Sequence, residues 1–189
     1  MRACRLCGAD LPLGPRPVLQ ADPRARLLIV GQAPGRRVHE TGVPFNDPSG
    51  ERLRSWLGVD PAAFYDDSLV ALIPMGLCYP GRSNGGDAPP RPECAPAWRP
   101  QLMAHLRQVQ LTIAAGAYAH RHLLGARGRV TDTVAVWRSY GDTVPIPHPS
   151  PRTMGWVARN PWFEADLLPE LRARVARVLA GSTTGGQAG

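Results

Sequence analysis

Four short apolar runs punctuate the chain at Arg26–Val30, Leu69–Ile73, Leu111–Ala115 and Val144–Ile146. None alternates between apolar and polar residues. A continuous apolar run of this length predicts a strand buried on both faces, as in a parallel sheet covered by helices. The segments between the runs carry helical spacing. Ser49 is the expected N-cap of a helix through Leu57, and a second helix is predicted from Glu93 to Gln108, entered through Pro92 and bent near Pro100. Further helices are expected at Ala117–Leu124, after the Gly116 breaker, and at Thr131–Ser139. A last one runs over Pro161–Leu179 with a kink at Pro169. Arg36–Ser49 reads as a loop, and Tyr79–Pro92 is too rich in Gly and Pro to be regular. Strands separated by helices imply parallel pairing through right-handed crossovers, hence an α/β fold built as a three-layer α/β/α sandwich.

The length, 189 residues, suits one domain over residues 1–180 with an adequate core. A flexible tail of small and polar residues is expected over 181–189. No apolar stretch approaches membrane-span length, and Met1–Cys7 is too polar and broken for a secretory signal. The expected location is therefore cytoplasmic. The net charge of +7 favours a polyanionic partner. All 22 basic residues are arginine, whose planar fork binds phosphate through two hydrogen bonds at once. A genomic bias toward Arg codons accounts for the same composition. Either way, the absence of lysine closes any route through a side-chain Schiff base.

Two turns stand at the carboxyl ends of predicted strands, the edge at which open α/β sheets bind ligands. Gly31-Gln32-Ala33-Pro34-Gly35 follows the first run, and His148-Pro149-Ser150-Pro151 follows the fourth. Gly42-Val43-Pro44-Phe45 lies in the loop after the first turn. Four cysteines complete the pattern: Cys4 and Cys7 form a C-x2-C step, Cys78 ends the second strand, and Cys94 lies fifteen intervening residues further on. A reducing compartment disfavours disulfides, and paired thiolates commonly chelate metal. Spacing alone leaves zinc, an iron–sulfur cluster and free thiols open.

From about Leu27 to Asn160 the chain resembles the uracil-DNA glycosylase superfamily, with its Gly-x-x-Pro turn and His-Pro-Ser loop. It is most similar to the iron–sulfur (family 4-like) members. The resemblance implies a central four-stranded parallel sheet and a [4Fe–4S] cluster on Cys4, Cys7, Cys78 and Cys94, with zinc as the alternative. The cluster would be structural, tying the N-terminus to the Tyr79–Pro92 loop, where Arg82 and Arg91 are expected to bind DNA phosphate. Phe45 matches the aromatic that stacks on an extruded base, and His148 the donor to uracil O2. Gly31, Gln32, Ala33, Pro34 and Gly35 match the base-contacting turn, and Ser150 the loop serine. Pro151–Trp156 matches the minor-groove insertion loop, with Met154 or Trp156 as wedge and Arg152 on phosphate. Arg159-Asn160-Pro161 resembles a motif of the iron–sulfur members.

Two positions depart from the pattern. The turn holds Gln32 and Ala33 where several relatives carry a carboxylate or Asn, and Ile73–Cys78 contains no amide to read the uracil edge. Glu40 and Asp47 are the candidates for replacing that acid, with a salt bridge to an Arg as the other use for Glu40; Gln32 is a catalytic candidate from its place in the turn, and His39 a further candidate as a nucleophile. The reading is a monofunctional glycosylase removing uracil or a related deaminated base from DNA in base-excision repair, acting as a monomer. The alternative is a protein of the same fold that binds uracil- or abasic-DNA without turnover. A nucleoside or nucleotide hydrolase is a third class, which the basic charge disfavours.

Overall fold

The computed structural model describes residues 1–83 and 85–181. The expected flexible tail lies outside the described residues, apart from Gly181. Along the chain run β1 (Leu27–Val30), α1 (Arg36–Thr41), α2 (Pro48–Leu57), α3 (Pro61–Tyr65) and β2 (Val70–Leu72). A small hairpin of β3 (Arg82–Ser83) and β4 (Gly86–Asp87) follows, then α4 (Cys94–His105), β5 (Leu111–Ala115) and α5 (Ala117–Leu124). The remainder is α6 (Val130–Ala135), β6 (Thr143–Ile146), α7 (Met154–Arg159) and α8 (Leu168–Ala180).

The main sheet has the order β2-β1-β5-β6 with every pairing parallel. This is the expected four-stranded sheet, and the continuous apolar runs are explained by its two covered faces. Leu27 and Ile29 point into one core with Leu53, Trp56 and Leu57 of α2 and Leu171 and Val175 of α8. Leu28 and Val30 point the other way, onto Cys94 and Leu102 of α4 and Ala119 of α5. A fully buried aliphatic side chain of this kind contributes about 1.5–3 kcal/mol. Among the described residues, no helix is long and apolar enough to cross a membrane.

Several expected boundaries shift for local reasons. Asp47, not Ser49, caps α2: its Oδ1 accepts the Gly50 N–H at 2.9 Å, and Pro48 fills the first helical position, where a missing N–H costs nothing. The same Asp-Pro device opens the unanticipated α3, with Asp60 accepting from Ala63 at 2.8 Å. The loop expected at Arg36–Ser49 begins with α1, which ends on Gly42 in the left-handed conformation (φ 74°). The Tyr79–Pro92 stretch is not irregular throughout, since Arg82 pairs with Asp87 and Ser83 with Gly86. The helix expected over Pro161–Leu179 is regular only from Leu168, just before Pro169. Proline cannot donate to the carbonyl four residues back, and the preceding Phe163–Leu167 turn is wound wider, with Leu168 N–H bonding Phe163 O.

Candidate active site

The Gly31–Gly35 turn is an extension of the sheet. Ile73, Met75 and Gly76 donate from the strand after β2 to the carbonyls of Ile29, Gly31 and Gln32 at 2.9–3.0 Å. On the far side of the sheet edge, Gly116 N–H donates to Ile146 O at 2.9 Å. The buried His120 bridges Ala114 O and Ile146 O through Nε2, 3.0 Å to each. His148 therefore leaves β6 on a fixed course. Gly116 (φ 87°) must stay a glycine, because a Cβ there would meet His148 Cβ at 3.1 Å. Arg52 of α2 holds Ser150 O at 2.6 Å, and Thr153 Oγ1 donates to His148 O, closing the loop.

Phe45 is brought to the same edge by a strained and heavily braced loop. Its backbone is left-handed (φ 54°), unusual for a residue with a side chain. Its carbonyl accepts from Tyr65 Oη at 3.2 Å, and its ring meets Phe64 edge-on at 6.2 Å. The ring sits on Gly31: a Cβ at that position would lie 3.1 Å from Phe45 Cζ. At Gly50, in the first turn of α2, a Cβ would come within 1.7 Å of Phe45 O. The two glycines are thus shaped around the phenylalanine.

A cleft of about 600 Å³ opens between these elements, and both Phe45 and His148 line it. Gly31, Gln32, Ala33, Pro34 and Gly35 form its floor, and Asp47 and Ser150 lie on its walls. Arg82 and Arg152 stand exposed at its rim. The expected base-contacting residues are therefore gathered in one place. Met154 is exposed at the start of α7, available to contact a ligand. Trp156 is not: its Nε1 donates to Thr131 at 2.7 Å and its ring packs on Phe163 and Trp162.

The electrostatics of the cleft involve a residue that the sequence reading missed. Asp87, on β4, lines the cleft beside Asp47, and the two approach Gly35 together. A Cβ at Gly35 would lie 3.4 Å from Asp87 Oδ2 and 3.7 Å from Asp47 Oδ2. Burial pushes the Asp87 carboxyl above the usual carboxylate range and Asp47 adds to the shift, while His148, Arg82 and Arg152 oppose it. Burial likewise pulls the His148 imidazole below its ordinary value, against Asp47 and Asp87. A neutral imidazole donates one N–H. Its ring nitrogens carry no hydrogen bond from the described residues, so that donor is free for a ligand.

Other expected residues are placed elsewhere. Glu40 does not reach the cleft: it is exposed and paired with Arg36 one helical turn back, at 2.8 Å, because α1 turns it outward. His39 is buried on α1 against Tyr79, ring centroids 6.1 Å apart, with its Nδ1 unpartnered among the described residues. It does not line the cleft, which leaves it no route to a ligand there. Gln32 lines the cleft, but its amide is committed, donating from Nε2 to Ala88 O at 3.0 Å. Arg91 faces the N-terminus rather than the rim, bonded to Asp10 at 2.9 Å and Glu93 at 3.0 Å.

Arg91 belongs to a second, smaller pocket that Cys4, Cys7, Cys78 and Cys94 all line, walled by Leu6, Leu11, Leu77 and Trp98. Leu77 N–H donates to Cys94 Sγ at 3.3 Å and Leu6 N–H to Cys4 Sγ at 3.5 Å. Burial raises the Cys78 thiol to about 11. Four sulfurs, apolar walls and amide donors fit a thiolate-bound group in donor chemistry. The pocket is not a closed ligand shell: among the described residues, no three His, Cys, Asp or Glu side chains stand together closely enough to hold a metal ion.

A family model described as Uracil DNA glycosylase superfamily matches residues 19–172, a span that takes in both turns, Phe45, the β3–β4 hairpin and Arg152.

Proposed function

The chain belongs to the uracil DNA glycosylase superfamily, and from that premise we propose that it is a monofunctional hydrolase of the N-glycosidic bond of uracil, or of a related deaminated base, in DNA. The observation that carries this reading is that Phe45 and His148 line one cleft of about 600 Å³, within the roughly 300–1,000 Å³ typical of small-ligand sites. The base must leave the helical stack to be reached, and Phe45 offers the apolar face on which it would lie. As the bond to the sugar breaks, electrons move onto the base. The neutral His148 N–H, fixed by the β6 end, is the donor for that developing anion. Arg82 and Arg152 at the rim would take flanking phosphates, which predicts a DNA affinity that falls steeply with salt. Because the chain has no lysine, cleavage stops at the abasic site.

The four cysteines carry a structural [4Fe–4S] cluster in this reading. Cys4, Cys7, Cys78 and Cys94 would hold it, tying the N-terminal segment to the strand end after β2 and to α4. Support comes from the shared pocket and its N–H donors to sulfur. Bound there, it would supply cross-linking rather than redox chemistry. Metal analysis of the purified protein distinguishes iron with sulfide from zinc, and a protein containing neither would remove the cluster.

The decisive experiment is a single-turnover assay on duplexes carrying uracil, hypoxanthine, xanthine or an abasic site, scored for both binding and base release. Release of at least one base supports the hydrolase. Tight binding to every lesion without release would replace it with a lesion-binding protein of the same fold.

A further inference from the structure

We propose that Asp87, on the β3–β4 hairpin, is the carboxylate that takes the proton from the attacking water, with Asp47 as the fixed anion facing the sugar. The proposal rests on the glycosylase reading above and assigns its missing base. In the hydrolysis, the water oxygen bonds the sugar C1′ while the C1′–N bond breaks. Its electron pair leaves on the base, and one water proton must go to an acceptor. The Gly31–Gly35 turn contains no acid, and Glu40 faces solvent with Arg36. Among the described residues, only Asp47 and Asp87 bring carboxylates to the cleft.

Geometry divides their roles. Asp47 Oδ1 is occupied by the Gly50 N–H at 2.9 Å, which fixes its orientation at the start of α2. Asp87 pairs with Arg82 through the backbone of the hairpin, but among the described residues its carboxyl has no hydrogen-bond or ion-pair partner. Both acids lean over Gly35, within 3.4 and 3.7 Å of where a Cβ would stand, and both line the cleft. The raised affinity of Asp87 for protons suits a base working near neutral pH.

The hairpin that carries Asp87 is pinned on three sides. Gln32 Nε2 donates to Ala88 O at 3.0 Å, Ala88 N–H donates to Gly81 O at 2.8 Å, and Arg152 reaches Gly85 O. Gln32 is therefore a positioning residue: the turn that lacks an acid holds in place the strand that supplies one.

The test is single-turnover base release across roughly pH 4 to 9, a range that spans the ordinary carboxylate and imidazole values, for the wild type, Asp87→Asn, Asp87→Glu, Asp47→Asn and Gln32→Ala. Duplex affinity and unfolding temperature serve as controls. Asp87→Asn should slow release by about a hundredfold or more and erase the carboxylate limb of the pH profile, leaving only that of His148. The other charged groups facing it (Asp47, His148, Arg82 and Arg152) remain in that variant. Asp87→Glu should recover to within about tenfold of wild type, and Asp47→Asn should slow release while keeping the limb. Gln32→Ala should slow release and displace the limb rather than erase it. A rate for Asp87→Asn within about twofold of wild type, or a limb lost in Asp47→Asn and kept in Asp87→Asn, overturns the assignment. A wild type that releases no base at all overturns the glycosylase reading itself, and this proposal with it, before any variant is compared.

Discussion

The cleft wall formed by Gly31–Gly35 and His148 grows out of β1 and β6, whereas the facing wall at Arg82–Ala88 is attached to the sheet by a few side-chain tethers. The first wall cannot shift without disturbing strands whose residues Leu27, Ile29, Val30, Val144 and Ile146 have no exposed surface. The second rests on a two-residue-per-strand hairpin, with Gln32 and Arg152 as its attachments across the cleft. The core fixes His148, and local hydrogen bonds worth about 1 kcal/mol each fix Asp87. Opening free energies should differ accordingly between the two walls.

The largest effect is expected at Gly50→Ala, which drives a methyl into the Phe45 carbonyl. A loss of more than about 3 kcal/mol of stability in urea unfolding is expected. A loss below about 1 kcal/mol would mean that the Phe45 loop is not braced by α2. Next comes His148→Ala, which should lower base release about a hundredfold, or about 2.7 kcal/mol of barrier. Global stability should stay near wild type, and an unchanged rate would strip the sheet-borne wall of its chemistry.

A smaller effect tests the hung wall directly. Arg152→Ala should loosen the hairpin by up to about 1.5 kcal/mol, seen as faster hydrogen exchange at the Ala88 amide, with β1 and β5 amides unchanged. Equal acceleration in both regions would dissolve the contrast between the walls. The smallest effect concerns His120, whose Nε2 bridges β5 and the Ile146 carbonyl. Burial holds its imidazole below the ordinary value near 6.5, so the folded state binds fewer protons there than the unfolded state. Its contribution is undiminished at neutral pH and falls as pH drops below the unfolded value. His120→Gln should flatten the fall in stability between pH 7 and 5 by on the order of 1 kcal/mol. A slope identical to wild type would exclude His120 as its source.

The same contrast governs how much could be read from the residues alone. The sheet and its wall are legible because apolar runs this short, bounded by Gly and Pro turns, suit a strand covered on both faces better than a helix. The turns at Gly31 and His148 then mark the runs' carboxyl ends. The hung wall escaped for a physical reason: the Gly and Pro density of Tyr79–Pro92 obscures a hairpin only four residues wide. The Asn84-Gly85 dipeptide between Arg82-Ser83 and Gly86-Asp87 is the signal that could have revealed it. Glu40 does not reach the cleft because Arg36–Thr41 is a helix and not a loop, and on a helix an Arg four residues back captures it. Asp47 was assigned to the site, but its capping role was given to Ser49. Arg91 and Gln32 show a subtler limit, since their types suit DNA contact and catalysis while Arg91 turns a terminal nitrogen to Asp10 and Glu93 and Gln32 donates to Ala88.

The left-handed backbone at Phe45 restricts how this cleft can be re-engineered. A β-branched replacement would clash with its own main chain at that torsion, and a residue without a ring would leave Gly31 facing a void. The cleft surface at Phe45 is consequently almost immutable, open only to flat side chains such as Tyr. Libraries aimed at altered lesion preference should therefore leave position 45 alone, spare Arg82 and Asp87 on the opposite rim, and vary cleft-lining positions such as Ser49 and Pro151.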